Sequence, residues 1–209
     1  MYPEVQGKRQ AEMIREEKKI TESGKKTRDL IFNTAVRLLK EEGYDALTTR
    51  RICEASGTSN GSFYHFFKNK DELLAYYYNI SADRFIEEHI DEMNNANLAE
   101  QMMITYRYYI RYSADYGVDF CMNFFNAKNR AIDPAYMYNA FYEISRKYLH
   151  QKESELKEGN DADTVAKELC ILAKGIIFDW ATERGSYDIT VTADRMFAAY
   201  LAGVVKQTD

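Results

Sequence analysis

Glycine stands where the helical apolar pattern of this chain breaks, at Gly43, Gly57, Gly159 and Gly185. This punctuation limits the fold more than any other feature, because glycine past a last helical turn is a stop signal. Only 10 glycines and 2 prolines occur in 209 residues. Between them run stretches of Leu, Ala, Glu, Lys, Met and Tyr without apolar–polar alternation, which favours helix over sheet. The expected fold class is all-α. Hydrophobic residues make up 45% and charged residues 29%, enough apolar surface for one good core or two small ones.

The individual helices can be placed from their stripes and caps. Ile31, Ala35, Leu38 and Leu39 share one helical face between about Lys25 and the stop at Gly43. Thr48 can cap a helix that runs to about Ser56, where Gly57 ends it. A second short helix is expected over Asn60–Phe66. Asn69 and Glu72 have capping-box spacing and open a helix carrying Leu73, Tyr77, Ile80 and Phe85, which fades near Asn94 and Asn95. Leu98–Tyr116 holds Met102, Tyr106, Tyr109 and Ser113 on one face, and a short aromatic helix runs from Val118 to about Lys128. Asp133 and Pro134 read as a cap and first position of a helix continuing towards Glu158. Helices over Asp161–Arg184, and from Thr190 or Thr192 to about Lys206, complete the chain.

Charge divides the chain in two. Residues 1–70 carry 14 basic and 10 acidic side chains, a net of +4, whereas residues 71–209 carry 14 and 23, a net of −9. A basic front and an acidic back suggest separate tasks. Several classes are disfavoured. Cys53, Cys121 and Cys170 are widely spaced and read as reduced, buried residues, with no metal site expected. No apolar run approaches the roughly 20 residues of a membrane span, and the first residues lack an apolar signal region, so a cytoplasmic address and no membrane partner are expected. The three histidines, His65, His89 and His150, stand outside any catalytic motif, and adjacent carboxylates such as Glu41–Glu42 and Glu87–Glu88 point apart along their helices. No catalytic residue, cofactor or enzymatic activity is expected.

Two short helices joined by a glycine-bearing turn, with a third before them, form a helix-turn-helix. Ile52, Ala55 and Phe63 can hold the pair together, and Cys53 is small enough for close passage. The second helix begins with small or polar residues, Ser59, Asn60, Gly61 and Ser62, which allow it to lie deep in a major groove. Lys68 and Lys70 stand where phosphates would run.

The segment T-T-R-R-I-C-E-A-S-G-T-S-N-G-S-F-Y-H-F-F-K-N-K-D-E-L-L resembles the signature of the TetR family of transcriptional regulators, and the match covers about Thr27–Leu74. Thr58 stands where that family usually has Val, and Cys53 where it has Ala. The resemblance implies an N-terminal three-helix DNA-binding domain, expected over 25–72 after a polar arm over 1–24. A helical ligand-binding and dimerisation domain over 73–209 follows. Carried over residue by residue, it implies that Thr48 caps its helix and meets a phosphate, and that Thr49 and Arg50 touch backbone or bases. It places Asn60 and Gly61 against base edges. Ser62, Tyr64 and His65 would contact phosphates or nearby bases, and Lys70 would dock a phosphate. Phe63, Phe66 and Phe67 are expected in the core.

The C-terminal section supports both implied roles on its own residues. Leu169–Ala181 is apolar nearly all round, so it must be buried on more than one side. With the small residues Ala198, Ala199, Ala202 and Gly203 of the last helix, it suggests a homodimer through the last two helices. The 17 tyrosines and 11 phenylalanines concentrate in the middle, where Tyr106, Tyr109, Phe124, Phe141 and Phe178 are candidate walls of an effector pocket for a flat aromatic or a lipophilic cation. The expected function is a ligand-responsive regulator. It would bind a palindromic operator in double-stranded DNA as a repressor and be released by a small molecule. The alternative is a small-molecule-binding helical protein without DNA binding.

Overall fold

The computed structural model describes residues 20–124 and 140–207, without the side chains of Asp71, Ala75, Tyr77, Tyr78, Asn79 and Phe124. Five expectations lie outside the described residues: the arm before residue 20, the side chains of Tyr77 and Phe124, the helix beyond Phe124, and the start at Asp133 and Pro134. The described residues form two compact units, divided between Leu73 and Leu74, and contain helices and no strand.

The first unit holds α1 (Glu22–Glu42), α2 (Thr49–Ser56) and α3 (Asn60–Phe66). α1 starts ahead of Lys25 because Thr21 Oγ1 accepts the Gly24 N–H at 3.1 Å. It ends at Gly43 (φ 81°), whose N–H donates to the Leu39 carbonyl. Thr48 caps α2 by accepting the Arg51 N–H at 3.1 Å, and Gly57 ends it in the left-handed region at φ 67°. The core of this unit is Ile31, Ala35, Leu38, Leu39, Leu47, Ile52, Phe63 and Phe67, all buried. Each of the larger side chains contributes about 2 kcal/mol by leaving water. Cys53 is buried in the same core, while Ala55 is half-buried.

α4 (Lys70–Asn95) starts in the first unit and continues into the second. Asn69 Oδ1 accepts the Glu72 N–H at 2.8 Å, but the Glu72 carboxylate accepts from the Lys68 N–H rather than returning to Asn69. The second unit continues with α5 (Leu98–Ala114), α6 (Gly117–Phe124), α7 (Ala140–Gln151), a 3-10 turn (Glu153–Glu155), α8 (Ala162–Thr182) and α9 (Ile189–Val204). α8 packs on α5, α6, α7 and α9, and α5 also packs on α7 and α9. Asn97 and Glu100 close a full capping box at the start of α5.

Three boundaries of α7 and α9 differ from expectation. α7 stops at Gln151, short of Glu158, because Leu156 is drawn into the core and pairs antiparallel with Val205. Lys157 N–H donates to the Val204 carbonyl at 2.9 Å and Lys206 N–H to the Glu155 carbonyl at 2.8 Å. The same bridge ends α9 at Val204, before Lys206. α9 also starts earlier than either threonine, at Ile189, since Asp188 caps it by accepting the Thr190 and Val191 N–H groups and Ile189 is itself buried.

Candidate nucleic-acid interface and effector domain

α3 separates two kinds of side chain. Phe63 and Phe67 point into the core with 0% and 2% exposure, and Phe66 is half-buried. Asn60, Gly61, Tyr64 and His65 are exposed, Tyr64 to 59%. Tyr64 meets Phe63 edge-on at 5.6 Å, and His65 meets Phe66 at 4.7 Å, so the inner rings brace the outer ones. Ser62 is half-buried, and its hydroxyl lies 3.0 Å from the hydroxyl of Ser59, which caps the helix. Gly61 is not demanded by the fold. A Cβ there would meet only Ser59 Oγ, at an ordinary 3.6 Å.

α2 presents Thr48, Thr49 and Arg50 from its first turn. Thr48 is exposed and Thr49 half-buried. The two arginines differ. Arg50 is 86% exposed and donates through Nε to Glu54 Oε1 at 2.8 Å. Arg51 donates through both Nε and Nη2 to the Glu42 carboxylate, tying α2 to α1. Lys70 is half-buried, with its ammonium 4.0 Å from the Tyr44 ring centroid and 3.4 Å from the Tyr44 carbonyl. Lys68 stays 87% exposed beside Glu72.

In the second unit the structure brings Tyr106, Tyr109 and Phe141 together, fully buried. Tyr109 packs on Phe141 at 5.0 Å, and Tyr106 on Phe197 at 5.0 Å. The Tyr106 hydroxyl accepts from Ser145 Oγ at 3.1 Å and lies 3.2 Å from Cys170 Sγ. Burial, then the neighbouring Cys170, push this phenol well above its ordinary pKa. Phe178 does not join the group. It follows the buried Ile177 by one residue, about 100° round the helix, and is 52% exposed. It shares the outer face of α8 with Ile171, 50% exposed, while Val191 and Met196 are exposed on α9. A cavity of about 860 Å³ lies between the end of α4, α5 and α9, against Met103, Ile104, Arg107, Ala198 and Leu201, and includes none of the five candidate wall residues. Sequence reading missed it because its walls come from separate stretches of chain and mix small and apolar residues with charged ones such as Glu92, Glu100, Arg107 and Glu155. No described helix is long and apolar enough to cross a membrane.

The model for bacterial regulatory proteins of the tetR family matches residues 31–77, which contain most of α1, all of α2 and α3, and the start of α4. These residues are those of a TetR-family DNA-binding region. An uncharacterized HTH-type transcriptional regulator of Bacillus subtilis, YxaF, is 35% identical over 82 residues, which span 37% of this chain and 43% of that relative. The fatty acid metabolism regulator protein of the same organism is 20% identical over 185 residues, covering 83% of this chain and 93% of the relative. Among solved structures, the transcriptional repressor FadR of Thermus thermophilus, in complex with lauroyl-CoA, superposes with a TM-score of 0.69. It is 18% identical, with 87% of this chain and 97% of that chain covered, a likeness of fold.

Proposed function

We propose that this TetR-family chain is an effector-responsive transcriptional regulator, a repressor that binds a palindromic operator as a homodimer. The observation that carries the reading is the division of α3. Buried Phe63 and Phe67 anchor a helix whose opposite face shows Asn60, Gly61, Tyr64 and His65 to solvent. These residues, with Thr48, Thr49, Arg50, Ser62 and Lys70, are the proposed DNA contacts. The glycine supports this, because the fold tolerates a side chain at 61 and a base edge pressed against the helix would not. Lys70 needs only to slide off the Tyr44 ring to reach a phosphate.

Dimerisation is assigned to the outer faces of α8 and α9. Ile171, Phe178, Val191 and Met196 leave apolar area in water that a second copy would cover. For the effector, an acyl-CoA thioester is the proposed class, because the similar Thermus repressor is a complex with lauroyl-CoA and the Bacillus relative regulates fatty acid metabolism. Tyr106, Tyr109 and Phe141 belong to the apolar interior that such an acyl chain would have to open. α4 is continuous from Lys70 to Asn95, which offers a path by which effector and operator oppose each other by one coupling factor. The regulator would act in the cytoplasm, with no catalytic step.

Selection of bound duplexes from random DNA, repeated with lauroyl-CoA present, tests the reading. The expected result is a palindromic motif whose recovery falls when the thioester is added. Recovery of no motif would leave a ligand-binding helical protein without DNA binding.

A further inference from the structure

The two adjacent arginines at the start of α2 are held in different ways, and the difference is informative. Arg51 gives both Nε and Nη2 to one carboxylate, that of Glu42 on α1, and is 43% exposed. Its donor fork is occupied and its work is to join two helices. Arg50 is 86% exposed, and its bond to Glu54 runs through Nε alone, at 2.8 Å. Among the described residues, both terminal nitrogens of Arg50 therefore remain available. A guanidinium with its Nη pair free is the donor set that grips the O6 and N7 acceptors of guanine in a major groove.

Glu54 lies one turn along the same helix, so the pair is an i, i+4 contact set by α2 itself. A long arginine side chain in water samples many rotamers, and fixing it before binding removes that entropy loss from the binding step. The carboxylate also holds the guanidinium by its inner nitrogen and leaves the outer pair for a further partner. We propose that Glu54 is a positioning residue for sequence reading, holding Arg50 so that its Nη pair meets a guanine in each half-site, while Arg51 takes no part in reading. This rests on the regulator reading above and adds to it a specificity-determining residue that is itself acidic and need not touch DNA.

The charge of Glu54 makes the inference separable from a purely electrostatic role. A carboxylate near phosphates opposes DNA binding, so Glu54→Ala would strengthen binding to every sequence alike if charge were all that mattered. If Glu54 positions Arg50, Glu54→Ala, which leaves no acceptor for Arg50 Nε, instead lowers preference for guanine at one base pair of each half-site. The test uses full-length protein and random-duplex selection with wild type, Glu54→Ala, Arg50→Lys and Arg51→Lys. Wild type is expected to prefer guanine there by about fivefold or more, Glu54→Ala to lose most of that preference, and Arg50→Lys to lose it as well, since lysine has no fork. Arg51→Lys should keep the wild-type motif and melt at a lower temperature. A Glu54→Ala motif identical to wild type, with wild-type binding intact, overturns this inference alone. Absence of any motif for wild type overturns the regulator reading and this inference together.

Discussion

Phe63 is fully buried among the three N-terminal helices, while Tyr64, the next residue, is 59% exposed. Truncating each should therefore damage different properties. Phe63→Ala is expected to destabilise the first unit by about 3–5 kcal/mol, read from chemical denaturation, because it removes a ring and leaves a cavity. Tyr64→Ala should leave that melt almost unchanged and weaken operator binding by about 1–3 kcal/mol. Equal losses of stability in both variants would contradict the assignment of faces. The cysteines make a second residue-scale case. Burial pushes the Cys121 thiol up to about 12, and burial likewise raises Cys170. Both thiols should stay protonated and react slowly with iodoacetamide at about pH 8 until the protein is unfolded, as mass spectrometry would show. Residue roles were legible where local pattern decides them, as for the inward phenylalanines. They were hidden where a distant partner decides them. Arg51 looks like its neighbour in sequence, and only its reach to Glu42 on another helix separates the two.

Among the helices, α2 and α3 were readable because their ends are set by local chemistry. Thr48, Gly57 and Ser59 act on groups within a few residues. Thr48→Ala should cost about 1 kcal/mol through the lost cap. Gly61→Ala offers a sharper contrast. Alanine is the better helix former by about 0.5–1 kcal/mol, and space exists for its methyl group, so the variant should melt at the same or a higher temperature while operator binding falls. Lower stability with unchanged DNA affinity would contradict the clearance argument. The end of α7 was not readable, because Gly159 and Asn160 are strong local stops and the bridge to Val205 that supersedes them is a long-range contact. The start of α8 carries a pH signature. Burial raises the Asp163 carboxyl, but the bonds from Arg146 and His150 outweigh it and hold the pKa below the ordinary value. A folded value below the unfolded one, near 4, means stability present above about pH 4 and lost as pH falls through the folded value. Asp163 is 53% exposed, so the effect is small. Wild type should melt above Asp163→Asn near neutrality, and the two curves should converge in acid.

At the scale of the whole molecule, the charge split is the feature that sequence alone conveyed best. The net of +4 over residues 1–70 and −9 over 71–209 keeps the proposed reading surface basic within an acidic chain. The role of the aromatic stripe was conveyed worst. An aromatic stripe gives the same sequence pattern whether its rings interlock or line a space, and Tyr106, Tyr109 and Phe141 interlock. The register of Phe178 on α8 turns it outward, where the proposed second copy would cover it. Phe178→Glu combined with Ile171→Glu should shift sedimentation from dimer to monomer and weaken operator binding, since two half-sites then bind independently. The central claim is that the α2–α3 face reads DNA. Titrating the full-length protein onto its selected operator and onto a scrambled duplex, across a series of salt concentrations, tests it most directly. The account predicts tighter binding to the operator throughout, with the logarithm of affinity falling linearly as the logarithm of salt concentration rises. Equal affinity for both duplexes, or no binding at the lowest salt, would contradict it.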